Sequence, residues 1–143
     1  SSVTSVTSLA HTLASVLMQE HVAGVYISWH ADTADLAREV EAQLAQTRGK
    51  SSKTVMWLES RVKKSDFEHL KAAFALMAGA SQAWVSIARP GQIWNRRFSS
   101  LVMPTLRRAA ADSRVTAVRC ARIVRQFEEG ICSTPEEVEA ALA

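Results

Sequence analysis

The sequence predicts an α/β domain in which a parallel sheet of four to five strands lies between two layers of helices. Short apolar runs alternate along the chain with stretches in which apolar residues recur at helical spacing. The apolar runs lack the alternation of a half-exposed strand, which indicates strands covered on both faces. The 143 residues are enough for one domain, 1–143, and we expect residues 1–20 to form an N-terminal helical extension.

Four elements are predicted in the first part of the chain. Apolar residues at helical spacing predict a helix over 3–18, whose serine and threonine content requires a packing partner. The apolar run that begins at Val22 and ends in Ser28 and Trp29 predicts the first strand. A helix over 33–49 follows, with a cap at its amino end and a glycine at its carboxyl end, and the run 54–58 predicts the second strand.

The next helix begins with a capping box. Ser65 is a good N-cap, and Glu68 stands three residues later, where its side chain can bond back to the cap. This helix is predicted to end at Gly79. Four large apolar residues are predicted to line one of its faces: Phe67, Leu70, Phe74 and Met77.

The second half of the chain predicts further strands and helices. Residues 83–88 predict the third strand, and 115–120 the fourth. Residues 92–111 have a helical pattern that Pro104 interrupts, so we expect a kink or two consecutive short helices. A fifth strand, if one is present, lies within 122–131.

Composition excludes several classes of protein. Apolar residues make up 48% and charged residues 22%, which are the values of a folded globular chain. No apolar run approaches the roughly 20 residues of a membrane span, and no secretory leader is visible. Cys120 and Cys132 lack metal-ligand neighbours, and the histidines lack ligand spacing, so we expect no metal site and a reduced, cytoplasmic protein.

The first strand and the helix after it resemble the opening of a Toll/interleukin-1 receptor (TIR) domain. The strand ends in an aromatic-Ile-Ser-aromatic pattern over 26–29, Asp32 follows, and a Leu- and Ala-rich helix comes next. Met103 to Leu106 and the alanine pair after them resemble the Leu-Pro-x-Leu-Leu-x-Ala-Ala run of many bacterial members, and the resemblance covers roughly 22–120. It implies a flavodoxin-like fold and a signalling or defence domain that assembles with itself or with another TIR-like partner.

The chain departs from enzymatic TIR domains at the catalytic position. Those domains resemble one another in a Glu on the helix after the third strand, linked to the cleavage of NAD, but here 89–111 contains no Glu or Asp. Loss of nicotinamide passes through a cationic state that a carboxylate stabilises. We therefore expect assembly without catalysis. The alternative is an NAD-cleaving or nucleotide-binding enzyme with a relocated carboxylate, for which Glu59 is the fallback.

A nucleotide pocket, if present, is expected at the carboxyl ends of the strands, where open parallel sheets bind ligands. NAD is the possible cofactor of such a pocket. The candidate contacts follow the first strand: Ser28, Trp29, His30 and Asp32.

The charge is unevenly distributed along the chain. Residues 89–125 contain nine arginines, no lysine and one acid, Asp112, a formal charge of +8. The remaining residues have eight basic and thirteen acidic groups, a charge of −5. Arginine suits carboxylates and phosphates alike, so this segment can dock on an acidic surface of another copy, bind nucleic acid or another polyanion, or form a solvated surface. No nucleic-acid-binding motif supports the polyanion interpretation further.

The predicted interaction surface combines the loop after the second strand with the basic helix 93–108. Its residues are Glu59, Arg61, Lys63, Lys64, Trp94, Arg96, Arg97, Arg107 and Arg108. A further alternative is a small sulfate-transporter/anti-sigma-antagonist (STAS)-like regulatory module, although Lys64-Ser65-Asp66 stands where that family has Asp-Ser-Ser-Gly.

Overall fold

The computed structural model describes Val3, residues 5–79 and residues 84–115. Over these residues the chain is an α/β protein with four helices and a two-stranded parallel sheet. The elements are α1 (Val6–Leu17), β1 (Gly24–Trp29), α2 (Ala34–Lys50), β2 (Thr54–Glu59), α3 (Asp66–Leu76) and α4 (Phe98–Ala110). The predicted fourth strand, 115–120, lies outside the described residues except for its first residue, and so do the candidate fifth strand and the last part of the chain.

The two strands form a βαβ unit. β1 and β2 are parallel, with Gly24 opposite Thr54 at one end and Trp29 opposite Glu59 at the other. α2 is the crossover between them, as a parallel pair requires. Both strands therefore end at the same edge of the sheet.

Alternate residues of β1 face different layers. Ile27 and Trp29 belong to the apolar core, together with Leu13 of α1 and Leu44 of α2. Ser28 points to the opposite face, where its hydroxyl meets His69 of α3. Helices thus cover both faces of this sheet, with α1 and α2 on one side and α3 on the other.

α1 also has a polar face, and it holds the segment 91–99, which leads into α4. Thr12, Ser15 and Gln19 are buried although they are polar. Each side chain accepts a hydrogen bond from a backbone N–H group. The Gly91 N–H donates to Thr12 Oγ1 (2.9 Å), the Trp94 N–H to Ser15 Oγ (3.1 Å) and the Ser99 N–H to Gln19 Oε1 (3.0 Å). The partner required by the serine- and threonine-rich helix is therefore a stretch of irregular backbone whose N–H groups need acceptors.

The starts of α2 and α3 agree with the sequence, whereas α4 begins at Phe98 rather than at the predicted residue 92. Thr33 caps α2 by accepting a hydrogen bond from the Leu36 N–H. The capping box of α3 is complete, since Ser65 Oγ accepts from the Glu68 N–H and the Glu68 carboxylate accepts from the Ser65 N–H. α4 is one helix with Pro104 inside it, rather than two short helices.

The prediction of a third strand is wrong over the residues that the structure describes. Residues 84–88 form no strand, and Trp84, Val85 and Ile87 are exposed. On the outer side of β1, the backbone N–H of Val3 bonds to the carbonyl of His30 at 3.1 Å. An apolar run is compatible with a strand but does not specify a pairing partner, and here part of the neighbouring edge is taken by Val3.

Candidate functional site

The candidate site is a chain of three buried polar side chains at the carboxyl end of β1. Ser28 Oγ lies 2.8 Å from His69 Nδ1, and His69 Nε2 lies 2.7 Å from His30 Nδ1. The two imidazole rings are stacked, with centroids 5.0 Å apart and planes at 13°. The chain therefore links a hydroxyl to two imidazoles in series, and the sequence gives no local sign of it because His69 is 41 residues from Ser28 and 39 from His30.

Two elements position these side chains. Ser28 and His30 are two residues apart along the strand direction, so they lie on the same face of the sheet. His69 stands in the first turns of α3, whose start is fixed by the capping box at Ser65. Arg89 forms an ion pair with Asp66 at 3.1 Å, which adds a contact to the same helix end.

Burial determines the charge state of His69. It lowers the pKa of His69 below its ordinary value of 6.5, and the positive charge of Lys64 acts in the same direction, whereas the negative charge of Asp66 opposes it. His69 is therefore a neutral imidazole at neutral pH, able to accept a proton at one nitrogen while it donates at the other.

Two buried nitrogens near this edge have no hydrogen-bond partner among the described residues. They are His30 Nε2 and Trp29 Nε1. They belong to opposite faces, since Trp29 packs in the apolar core and His30 joins the polar chain. His30 Nε2 therefore ends the chain without a protein acceptor or donor in this part of the molecule.

The four candidate nucleotide contacts do not share one environment. Ser28, Trp29 and His30 are buried, and only Asp32 is exposed. Glu59, the fallback carboxylate, is exposed at the end of β2, directly across from Trp29 in the sheet register. The structure thus brings Ser28 and His30 together through His69, and it places Glu59 and Asp32 at the surface. A role of these residues in binding NAD stays a prediction.

The predicted interaction residues are mostly at the surface. Arg61 and Lys63 are exposed in the loop after β2, and Lys64 is half-buried. Trp94 is half-buried and makes an edge-to-face contact with Phe98, with ring centroids 4.7 Å apart. The four arginines of this set are exposed at the two ends of α4: Arg96, Arg97, Arg107 and Arg108.

The apolar face predicted for α3 is not the face that packs on the sheet. His69 is the residue of α3 that is buried, whereas Phe67 is 74% exposed and Phe74 46% exposed. We call Phe67, Leu70, Phe74 and Met77 the α3 stripe. Met56 and Leu58 of β2, on the sheet face that α3 partly covers, are exposed as well. The hydrogen bonds of His69 explain the difference, because they require its side of the helix to face β1.

Some classes of site are absent from the described part of the chain. No group of three or more His, Cys, Asp or Glu side chains there is placed to hold a metal ion. Within the same residues, no helix is both long enough and apolar enough to cross a membrane. Comparisons of the chain with protein-family models, with curated proteins and with solved structures found no match.

Proposed function

We propose that the protein is a TIR-like assembly module that acts in a signalling or defence pathway by binding a second copy of itself. The observation that carries the proposal is the exposure of two members of the α3 stripe, Phe67 at 74% and Phe74 at 46%, while Leu70 and Met77 are half-buried. The resemblance of residues 22–120 to TIR domains supports the same kind of function.

The energy of apolar burial supports an interface at this stripe. Phe67 and Phe74 are seven residues apart, two turns of helix, and Leu70 lies between them on the same side. Burying one phenylalanine side chain contributes about 1.5–3 kcal/mol. Contiguous exposed apolar residues with a polar rim mark contact sites in soluble proteins, and the exposed Arg61 and Lys63 just before α3 supply such a rim.

Charge supports a second copy as the partner. Segment 89–125 has a formal charge of +8, and the rest of the chain has −5. Two copies can therefore attract each other by setting the basic segment of one against an acidic surface of the other. Such an attraction weakens with salt, because a screening length of about 8 Å at physiological ionic strength shortens further in concentrated salt.

The experiment that tests this function is sedimentation equilibrium of the full chain over a range of concentrations. We expect a concentration-dependent oligomer, and replacing Phe67 and Phe74 together by serine should weaken self-association by roughly 10- to 100-fold. Ile87→Ser is the matched control, since Ile87 is 59% exposed and lies outside both the α3 stripe and the basic helix 93–108. A wild-type protein that stays monomeric throughout contradicts the proposal.

The electrostatic part is tested separately by charge reversal. Arg96→Glu with Arg97→Glu should weaken association at low salt and have little effect at high salt. Unchanged self-association at low salt would mean that the basic segment is not part of the interface. An NAD-cleaving or nucleotide-binding enzyme, a STAS-like module and a polyanion-binding domain stay predictions from the sequence.

A further inference from the structure

The buried chain of Ser28, His69 and His30 has the connectivity of an activated nucleophile. A serine becomes nucleophilic when a neutral imidazole is in hydrogen-bond reach of its hydroxyl and a further group orients that imidazole. Here the two contacts measure 2.8 Å and 2.7 Å. The exposed fractions also fit a nucleophile at the outer end of the chain, since Ser28 is 8% exposed, His30 4% and His69 3%.

We propose that Ser28 is a nucleophile, with His69 as its general base, and that it takes a small acyl group from an activated ester. The site lies at the carboxyl edge of the parallel strands, where open α/β sheets place their reactive groups. The proposal concerns a different surface from the α3 stripe and does not depend on self-association.

The reaction conserves atoms and protons in two steps. Ser28 Oγ attacks the carbonyl carbon of the ester, its proton passes to His69 Nδ1, and the alkoxide leaves with the electron pair and takes up that proton. Water then attacks the acyl carbon, gives a proton to His69 Nδ1, and the acyl–oxygen bond to Ser28 breaks as the proton returns to Oγ. The products are a carboxylic acid and an alcohol.

His30 acts as a positioning residue. In the activating arrangement the Ser28 hydroxyl donates to His69 Nδ1, and the His69 Nε2–H donates to His30 Nδ1. Nε2 of His30 then carries the remaining hydrogen, on the atom that has no partner among the described residues. When His69 gains a proton, its positive charge is shared along this hydrogen bond, which lowers the cost of a buried imidazolium.

Exposure limits the class of substrate. Ser28 is buried, with 8% of its surface exposed, so the proposed reaction requires a narrow acyl group such as acetyl, and a branched or aromatic one would have to displace neighbouring groups. The same exposure provides an internal control. Ser60 is also 8% exposed, but its hydroxyl donates to the Val62 carbonyl at 2.7 Å and has no imidazole partner among the described residues.

The test is covalent labelling of the full chain with methanesulfonyl fluoride, a small reagent that traps activated serines. The Oγ–sulfur bond forms, the sulfur–fluorine bond breaks, fluoride leaves, and the proton goes through His69 to water. Peptide mapping by mass spectrometry should find the adduct on Ser28 and none on Ser60. His69→Gln should slow labelling by about 100-fold, with circular dichroism as the check on folding.

A pH profile distinguishes the positioning role from a structural one. Labelling should require neutral His69, and its midpoint should lie below pH 6.5 because burial lowers the pKa of His69. His30→Asn removes the imidazole that shares the charge of protonated His69, so the midpoint should move to lower pH, whereas a loss of packing alone would slow labelling equally at every pH. Absence of an adduct on Ser28 in the folded wild type, or equal labelling of Ser60, overturns the proposal.

Discussion

Replacing Gln19 by methionine should release the segment 91–99 from α1. Gln19 is fully buried, and its side chain makes three hydrogen bonds: Nε2 to the Ser15 carbonyl (3.0 Å), Nε2 to the Asn95 carbonyl (2.8 Å) and Oε1 from the Ser99 N–H (3.0 Å). Methionine has a similar length and volume and makes none of these bonds. The Ser99 N–H belongs to the first turn of α4, whose N-cap Arg97 provides no capping hydrogen bond from its side chain.

The expected loss follows from which groups are left without partners. The Ser99 N–H bond is buried, so its loss costs about 1–3 kcal/mol. Asn95 is exposed, so its carbonyl can turn to water and costs only the net value of one hydrogen bond, about 0.5–1.5 kcal/mol. Together these two costs amount to about 1.5–4.5 kcal/mol. We therefore expect the free energy of unfolding to fall by about 3 kcal/mol, which corresponds to roughly 150-fold in an equilibrium constant.

Two assays separate global from local effects. Urea unfolding followed by circular dichroism measures the global free energy of unfolding. Trypsin cleavage after Arg96 and Arg97 under native conditions measures local opening of the segment, and should rise by up to the same factor if only this segment detaches. Gln43→Met is the matched control, because Gln43 is half-buried and makes one side-chain hydrogen bond, to Thr47 Oγ1 at 3.2 Å.

The reasoning would be refuted by a Gln19→Met protein that loses less than about 1 kcal/mol in urea and is cleaved no faster than the Gln43→Met control. That result would mean that the polar face of α1 does not hold the 91–99 segment in solution. A loss confined to trypsin cleavage would support the contact and identify the segment as a separate unit of stability.

Two further predictions concern pH and NAD. Unfolded His69 titrates near pH 6.5, whereas burial lowers its pKa in the folded state, so the unfolded chain binds more protons between these values. The contribution of His69 to stability is therefore complete above about pH 6.5 and is lost as the pH falls toward the pKa of His69 in the folded protein. The urea midpoint should decrease as the pH is lowered from 8 to 5, and it should decrease less in His69→Gln. Nicotinamide release from NAD should not exceed the blank, since 89–111 contains no acid and Glu59 is exposed. Release that disappears in Glu59→Ala would make the protein an enzyme with a relocated carboxylate.

The elements that the sequence predicted well have strong local signals. The capping box of Ser65 and Glu68 begins α3 as expected, and Thr33 begins α2. The run 54–58 is within β2. Each of these signals involves residues within one helical turn or one short strand, so no knowledge of tertiary packing was needed.

The candidate site could not be predicted because its parts are distant in sequence. His30 and His69 have no ligand spacing, and a serine at a strand end is common, so nothing local joins them to Ser28. One signal was available for the contact with 91–99: Thr12 and Ser15 in α1 and Gln19 just after it recur at helical spacing. A buried polar stripe of this kind indicates that irregular backbone packs against the helix.

The orientation of α3 depends on a close balance between polar and apolar terms. Turning the α3 stripe inward would gain about 2–4 kcal/mol by burying the surface of Phe67 and Phe74 that is now exposed, but it would withdraw His69 from the sheet. Ser28 and His30 would then be left buried without the hydrogen bonds to their shared partner, at a cost of about 1–3 kcal/mol each. The free energy of burying the two phenylalanines and the cost of breaking the polar chain are similar. Within one molecule, the observed orientation is therefore only slightly more stable than the inverted one, and it leaves apolar surface exposed. A second copy that covers the stripe recovers the apolar term while the polar chain stays intact. Assembly should therefore stabilise the same orientation of α3 that holds Ser28, His69 and His30 together.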